Sequence, residues 1–151
     1  MRVISIASLA GLSLVSVASW AADNCQPDNL TRPQQVACLH QDEQRYGRQA
    51  DALYAALRKA MPPKDAALLD KSHKTWKASM DADCQLTMAS VDGWGRDSTP
   101  DGDFQSAACR AAAAENRVDF YKTLLCPDTL ATGDEPNCKA LQSALTATDK
   151  K

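Results

Sequence analysis

The chain has 151 residues, the usual size of one domain, which excludes a multidomain enzyme. Its 17 basic and 19 acidic residues nearly balance at a net charge of -2, so the sequence lacks the basic surplus on which nonspecific nucleic-acid binding depends. Aromatic residues make up only 5% while alanine is abundant, a composition that favours close-packed helices over a β-sandwich. We therefore expect a small all-α protein with no nucleic-acid partner.

Residues 1–21 have the layout of a secretory signal peptide. Arg2 precedes a mostly apolar run that ends near Val17, and cleavage after Ala21 places the small residues Ser19 and Ala21 at positions -3 and -1. The run is too short for a membrane-spanning helix, although an uncleaved anchor is the alternative interpretation. The sequence thus predicts an exported chain with one mature domain over residues 22–151 and no membrane span after cleavage.

The six cysteines all follow the predicted signal, and an even number in an exported chain of this size indicates a disulfide framework. They are Cys25, Cys38, Cys84, Cys109, Cys126 and Cys138. Their spacing contains no Cys-x-x-Cys motif and no neighbouring pair of histidines, which argues against a zinc site or a thioredoxin-type motif. We expect neither a metal nor a cofactor.

The first long helix is predicted between Thr31 and Met61. Thr31 suits the N-cap and Pro33 the first turn, while the prolines at 62 and 63 end the helix. Its apolar residues recur at spacings of three, four and seven, as on one face of an amphipathic helix. This stripe comprises Leu39, Tyr46, Ala50, Leu53, Tyr54, Leu57 and Met61.

A second and a third helix are predicted on either side of a polar loop. The second begins just after Lys64 and the third runs from Phe104 to about Leu125. Residues 92–103 between them hold three glycines, one proline and four aspartates, which indicates a loop. A short fourth helix follows a turn at Gly133. The apolar stripes comprise Leu69, Trp76, Met80, Cys84, Met88 and Val91 in the second helix, Phe104, Ala108, Ala111, Val118, Tyr121 and Leu125 in the third, and Leu141, Ala144 and Leu145 in the fourth.

The spacing of the six cysteines in the sequence leaves many connectivities open. Antiparallel packing of the predicted helices indicates which cysteines face each other. In two such helices, residues equidistant from the connecting loop face each other, and Cys84 and Cys109 are centred on the polar loop. The same argument places Cys126 and Cys138 on either side of the turn at Gly133, which leaves Cys25 to pair with Cys38 on the first helix. The predicted pairs are therefore the sequential ones, Cys25–Cys38, Cys84–Cys109 and Cys126–Cys138. The predicted fold is a small disulfide-stabilised bundle of three main helices plus a short C-terminal one.

Several residues share the order and spacing of a known family. Trp76 precedes Asp81 by five residues and Cys84 by eight, Tyr54 lies on the first helix, and Arg117 lies on the third. In this pattern the chain resembles the N-terminal domain of the LprI-type lysozyme inhibitors, which are small exported helical bacterial proteins. The resemblance covers roughly residues 38–125. It departs from the family at residue 80, where the family's arginine is a methionine, and at residues 50–51, where the usual Leu-Asn is Ala-Asp.

The resemblance implies a periplasmic or secreted protein that binds and inhibits a lysozyme or a similar peptidoglycan hydrolase. It places Tyr54, Trp76, Asp81 and Arg117 in the family motif. Two alternatives stay open. One is an immunity protein against a secreted wall-degrading toxin, and the other is an envelope stress or structural protein without a hydrolase target.

The polar loop is the predicted partner-binding site. Residues 81–103 contain six acidic residues and one basic, whereas residues 45–77 contain eight basic and three acidic. Lysozymes are generally basic, so an acidic region can steer the encounter, and tryptophan and arginine are enriched at binding hot spots. The candidate contacts are Asp92, Trp94, Arg96, Asp97 and Asp101. The alternative is an ordinary loop in which Trp94 folds back onto the bundle.

Catalysis is not expected. The sequence contains no HExxH or Gly-x-Ser-x-Gly motif, and His40 and His73 lack a partner at recognisable spacing, so both are interpreted as surface residues. Trp76 lies at helical spacing from Leu69 and is interpreted as a core anchor. Asp81 is interpreted as a member of an internal hydrogen bond or ion pair.

Overall fold

The structure, a computed structural model, describes Cys25, residues 30–126 and residues 136–148. Within these residues it contains four helices and no strand: α1 (Arg32–Ala60), α2 (Pro63–Asp92), α3 (Pro100–Leu125) and α4 (Pro136–Thr148). The predicted all-α bundle of three main helices and a short fourth one is confirmed. The predicted signal peptide and the turn at Gly133 lie outside the described residues. None of the helices described is long and apolar enough to cross a membrane.

The ends of α1 follow from its sequence. The Thr31 backbone N–H donates a hydrogen bond to the Gln34 side-chain oxygen at 2.9 Å, the reciprocal bond of a capping box. At the other end Met61 is extended, with φ -87° and ψ 148°, because the residue before a proline avoids helical geometry. Pro63 then occupies the first turn of α2, slightly earlier than the start predicted after Lys64.

The three long helices run up, down and up, with α3 in contact with each of the others. An ion pair of 2.9 Å joins Arg32 and Asp101 at the starts of α1 and α3, and the Tyr46 hydroxyl donates a hydrogen bond to Glu115 further along both helices. The two helices are therefore parallel. The Cys84–Cys109 disulfide joins the far end of α2 to the early part of α3, which makes α2 antiparallel to both. The most extensive packing is between α1 and α3, whereas α1 and α2 contact each other much less. We call the end with the α1–α2 connection the turn end and the end with residues 93–99 the loop end.

The main hydrophobic core lies toward the turn end. Its buried members come from the three long helices, and partly buried residues of α4 cover it. Trp76 packs against this core and is partly buried, in agreement with its interpretation as an anchor. The buried residues are Ala50, Leu53, Leu57, Leu69, Val118, Tyr121 and Leu125.

Toward the loop end the buried residues are small. Ala107, Ala111 and Ala114 of α3 are buried, and Cys84 of α2, which is bonded to Cys109, is completely buried. Ala108, which was expected in the stripe, is only partly buried, because the buried face at this point passes through its neighbour Ala107. The expectation that Val91 faces the core is wrong, since its exposed fraction is 46%. The first turn of α3 lies opposite the last turn of α2. This first turn contains no large apolar side chain that could cover the end of α2.

All three predicted disulfides are present. The Cα–Cα distances are 5.4 Å for Cys25–Cys38, 5.6 Å for Cys84–Cys109 and 4.8 Å for Cys126–Cys138, all within the normal range. The second bond staples α2 to α3, and the third ties α4 to the end of α3. The described part of the chain contains no free cysteine.

Candidate partner-binding surface

The loop between α2 and α3 is shorter than its composition indicates. It spans residues 93–99, rather than 92–103, because α2 continues through Asp92 and α3 begins at Pro100. Thr99 caps α3, since its hydroxyl accepts a hydrogen bond from the Gly102 N–H at 3.2 Å. The aspartates at 101 and 103 belong to the first helical turn, where the helix dipole favours negative charge.

Asp92 connects the two helices from inside the loop end. Its exposed fraction is 7%, and its Oδ1 accepts hydrogen bonds from the Thr99 N–H at 3.1 Å and the Thr99 hydroxyl at 2.6 Å. Gly102 makes room for this carboxylate, because a Cβ atom there would lie 2.2 Å from Asp92 Oδ1. Among the predicted contacts, Asp92 therefore holds the loop and offers little surface to a partner.

Trp94 is the most exposed aromatic side chain in the described part of the chain. Its exposed fraction is 65%, so the ring does not fold back onto the bundle. The backbone is left-handed at three successive residues, with φ of 85° at Gly93, 50° at Trp94 and 77° at Gly95. A left-handed non-glycine residue costs about 1–2 kcal/mol, and here that conformation directs a large ring into solvent.

The other predicted contacts lie in the loop or in the first turn of α3. Arg96 and Asp97 are exposed, and the Arg96 side chain lies close to Gly93. Asp101 is 67% exposed on its side chain and also forms the ion pair with Arg32 that joins α1 to α3. The Arg32 guanidinium lies 4.2 Å from the centre of the Phe104 ring, which helps to fix this corner of the surface.

The fold separates the two charged stretches of the sequence. Residues 81–103, with six acidic residues and one basic, form the far part of α2, the loop and the start of α3. Residues 45–77, with eight basic and three acidic, form the hairpin around the turn end. The loop end is therefore acidic and the turn end basic, so the molecule presents fields of opposite sign at its two ends.

The family-motif residues lie in the body of the bundle, away from the loop. The Tyr54 hydroxyl donates a hydrogen bond to Asp70 at 2.7 Å, and this bond, together with one from Arg58, lowers the pKa of the Asp70 carboxyl. Asp81 forms an ion pair with Arg110 of α3, which confirms the expected internal partner. These contacts hold the helices in register.

His73 is a residue that the sequence interpretation placed wrongly. Its side chain is 14% exposed, its ring stacks on Tyr54 at 4.2 Å, and its Nδ1 lies 2.8 Å from the Tyr121 hydroxyl. Burial lowers the pKa of His73, which favours the neutral ring. A signal was available, because residue 73 follows the stripe position 69 by four. His40, by contrast, is 52% exposed beside Glu43, as expected of a surface residue.

Comparison with protein families gives a match over most of the described helices. The model described as "Lysozyme inhibitor LprI" matches residues 22–120, about two thirds of the chain. No curated protein and no solved structure gives a match. The matched range contains α1, α2, the exposed loop and most of α3.

Proposed function

Since this chain belongs to the LprI lysozyme inhibitor family, we propose that it is exported to the periplasm or beyond the cell and there binds a lysozyme or a similar peptidoglycan hydrolase through its loop end. The single observation that supports this surface is Trp94, a large ring held in solvent in a left-handed conformation. The other contacts in the proposal are Arg96, Asp97 and Asp101.

Trp94 enters the substrate cleft of the hydrolase. The loop that carries it is short, and the Asp92–Thr99 hydrogen bonds and the nearby Cys84–Cys109 disulfide fix both of its ends. A loop that is ordered before binding loses little conformational entropy in the complex. Tryptophan in such a position is typical of the few residues that supply most of an interface's binding energy.

Charge brings the two proteins together and orients them. The acidic loop end attracts a basic hydrolase, and Arg96 offers a planar guanidinium to a carboxylate in the cleft, where it forms two parallel hydrogen bonds. Asp97 and Asp101 lie on the rim of this surface and act mainly on the rate of encounter. The basic turn end is directed away from the partner.

Two measurements test the proposal. The first is the effect of the purified mature protein on the lysis of bacterial cell walls, followed by turbidity, with several lysozyme types. The second is binding to a captured lysozyme at two salt concentrations. We expect Trp94→Ala and Arg96→Ala to weaken binding by roughly tenfold or more, mainly through faster dissociation. Leu86→Ala is the matched control, because Leu86 is 57% exposed but lies on α2 outside the loop.

Charge reversal separates steering from contact. Asp97→Lys combined with Asp101→Lys slows association and flattens its dependence on ionic strength, because salt screens exposed charges over about 10 Å at 0.1 M. Each single reversal, Asp97→Lys or Asp101→Lys, is also compared with Asp65→Lys at the turn end, which makes the same change in charge. If all loop variants that melt like the parent bind at unchanged rates, the interface does not lie on this loop, and the basic turn end with an acidic partner becomes the surface to test.

A further inference from the structure

A groove lies between α2 and α3, on the body of the bundle and away from the loop. Its volume is about 410 Å³, which is enough for a ligand of the size of a sugar unit. Lys71 and Arg117 line it together with the Trp76 ring and the exposed Leu68. No acidic side chain lines this α2–α3 groove.

Hydroxyl groups form one wall of the α2–α3 groove. Ser72, Thr75 and Ser79 line it from one helix, at spacings of three and four that place them on the same face of α2. Each hydroxyl can both donate and accept a hydrogen bond. Hydroxyls beside an aromatic ring match the surface of a sugar, which is polar at its edge and apolar on its face.

Arg117 supplies an unbalanced positive charge. Its guanidinium lies 5.3 Å from the Trp76 ring centre, 4.8 Å from that of Phe120 and 4.4 Å from that of Tyr121, and its Nη2 donates a hydrogen bond to Ser72 Oγ at 2.9 Å. The buried Nε has no acceptor. Neither Arg117 nor Lys71 forms an ion pair with any carboxylate among residues 30–126 and 136–148. A cation in such surroundings lacks the anion that ordinarily accompanies it.

The groove on the other side of α2 has the opposite character. It lies between α1 and α2, has a volume of about 310 Å³ and is lined by three carboxylates, from Glu43, Asp51 and Asp81, with one lysine. Asp51 is paired there with Lys77 and Asp81 with Arg110, so no cation is left over for a ligand, whereas the lining of the α2–α3 groove carries two cations and no carboxylate. The difference between the two grooves thus indicates the charge of the ligand.

We propose that the α2–α3 groove binds a carboxylate-bearing sugar. The carboxylate pairs with Arg117 and Lys71, the sugar hydroxyls exchange hydrogen bonds with Ser72, Thr75 and Ser79, and an apolar part of the sugar contacts Trp76. This site is separate from the loop end, and the proposal does not rest on inhibition of a hydrolase. It gives the protein a means to bind an acidic glycan while the loop end stays free.

The test compares glucuronic acid with glucose, which differ only in the carboxylate. Isotope-labelled mature protein is titrated with each sugar and followed by NMR. We expect glucuronate to shift the backbone amides around Ser72, Thr75 and Ser79, and glucose to bind at least several-fold more weakly. Acetate serves as the probe for the carboxylate alone and is also expected to bind more weakly than glucuronate.

Variants locate the site. Lys71→Ala is expected to weaken glucuronate binding several-fold, while Lys74→Ala, an exposed lysine on α2 that does not line the groove, leaves it unchanged. Arg117→Lys keeps the charge but loses the fork of donors, and is expected to weaken binding about tenfold. If Arg117→Lys does not fold, Thr75→Val and Lys71→Ala on the folded protein carry the test.

Four results would overturn the proposal. They are equal binding of glucose and glucuronate, equal binding of acetate and glucuronate, shifts that map away from the α2–α3 groove, and an equal loss of affinity in the Lys71 and Lys74 variants. No hydrolase is present in the experiment. Its outcome is therefore independent of whether the loop end binds one.

Discussion

Toward the turn end, α3 buries large side chains such as Tyr121 and Leu125, whereas toward the loop end it buries three alanines and a glycine. The turn end is therefore stabilised mainly by burial of apolar area, to which each large side chain contributes about 1.5–3 kcal/mol. The loop end has little such area, and a disulfide and the buried Asp92–Thr99 hydrogen bonds hold it together. Stability at the turn end thus depends on the size of the buried side chains, and stability at the loop end on one disulfide and a few hydrogen bonds.

This difference bears on where a binding surface can form. At the turn end the largest side chains, such as Tyr121 and Leu53, are buried in the core, although Leu68, Phe120 and Leu124 beside it are exposed. At the loop end the stabilising bonds are inside, and the residues of the loop itself are exposed. Their side chains can change without loss of packing, which suits a surface that must match a partner.

The largest effect is expected at the turn end. Tyr121→Ala removes a completely buried ring and should lower the free energy of unfolding by about 3–5 kcal/mol. Tyr121→Phe keeps the ring, loses the hydrogen bond to His73 and should cost about 1–2 kcal/mol. Val91→Ala, at the exposed loop end, should change it by less than about 0.5 kcal/mol. Chemical denaturation measures all three, and a similar cost for Tyr121→Ala and Val91→Ala would remove the distinction between the ends.

The next largest effect is expected from the disulfide. Replacement of Cys84 and Cys109 by alanine opens a loop with a sequence separation of 25, which in the chain-entropy account costs roughly 3–4 kcal/mol. The alanine core beside it has little apolar area with which to compensate. Hydrogen exchange should show the loss of protection concentrated around the disulfide, while amides near Leu53 remain protected. Uniform loss along α3 would mean that the two ends unfold together.

Two helical glycines give a matched comparison. A Cβ at Gly102 would collide with Asp92, so Gly102→Ala should displace the carboxylate and cost about 1–3 kcal/mol through the lost hydrogen bonds to Thr99. A Cβ at Gly47 would meet no atom within 4 Å, so Gly47→Ala should stabilise the protein by about 0.5–1 kcal/mol. Thermal unfolding of both variants measures the sign and the size of the two effects. Effects of the same sign would contradict the role assigned to Asp92.

The stability of the turn end should also depend on pH. Burial, with a smaller contribution from Lys77 and Arg117, lowers the pKa of His73 below its ordinary value of 6.5, although Asp51 and Asp70 oppose this shift. The unfolded chain therefore binds the proton more readily, so stability is complete above about pH 6.5 and falls as the pH falls through the native pKa. His73→Phe should reduce the drop in melting temperature between pH 7.5 and 5.5. An unchanged drop would exclude His73 as its source.

Local signals in the sequence were enough for the helices and the disulfides. The double proline at 62–63 and the apolar spacing define α1 and α2, and antiparallel geometry then predicts which cysteines face each other. The start of α3 was missed because aspartate and glycine are typical of loops. In α3 the aspartates at 101 and 103 instead lie in the first turn, where they complement the helix dipole. Thr99 caps this turn, and the Thr99-Pro100 pair carried the signal for a helix start.

Contacts between distant residues could not be predicted in this way. The position of His73 between Tyr54 and Tyr121 depends on which faces of three helices meet. The burial of Asp92 depends on the close approach of Gly102 from the next helix. Periodicity gives the face of a helix but not the residue of another helix that this face contacts. Trp94 is therefore exposed, as predicted, whereas Asp92, which was predicted to contact a partner, is buried.

Only a small change in stability is expected at Trp94, and it tests whether the loop end presents this ring for binding. Glycine adopts the left-handed conformation freely, so Trp94→Gly relieves about 1–2 kcal/mol of backbone strain and loses about 0.5–1 kcal/mol through the greater entropy of the unfolded chain. Because the ring is 65% exposed, little packing is lost. The variant should therefore melt at or slightly above the temperature of the parent, whereas Trp94→Ala keeps the strain and should melt no higher than the parent. Both should bind a captured lysozyme more weakly, since both remove the ring. A clear loss of stability in Trp94→Gly would show that the ring serves the fold, and the strain at this residue would then no longer support a role in binding.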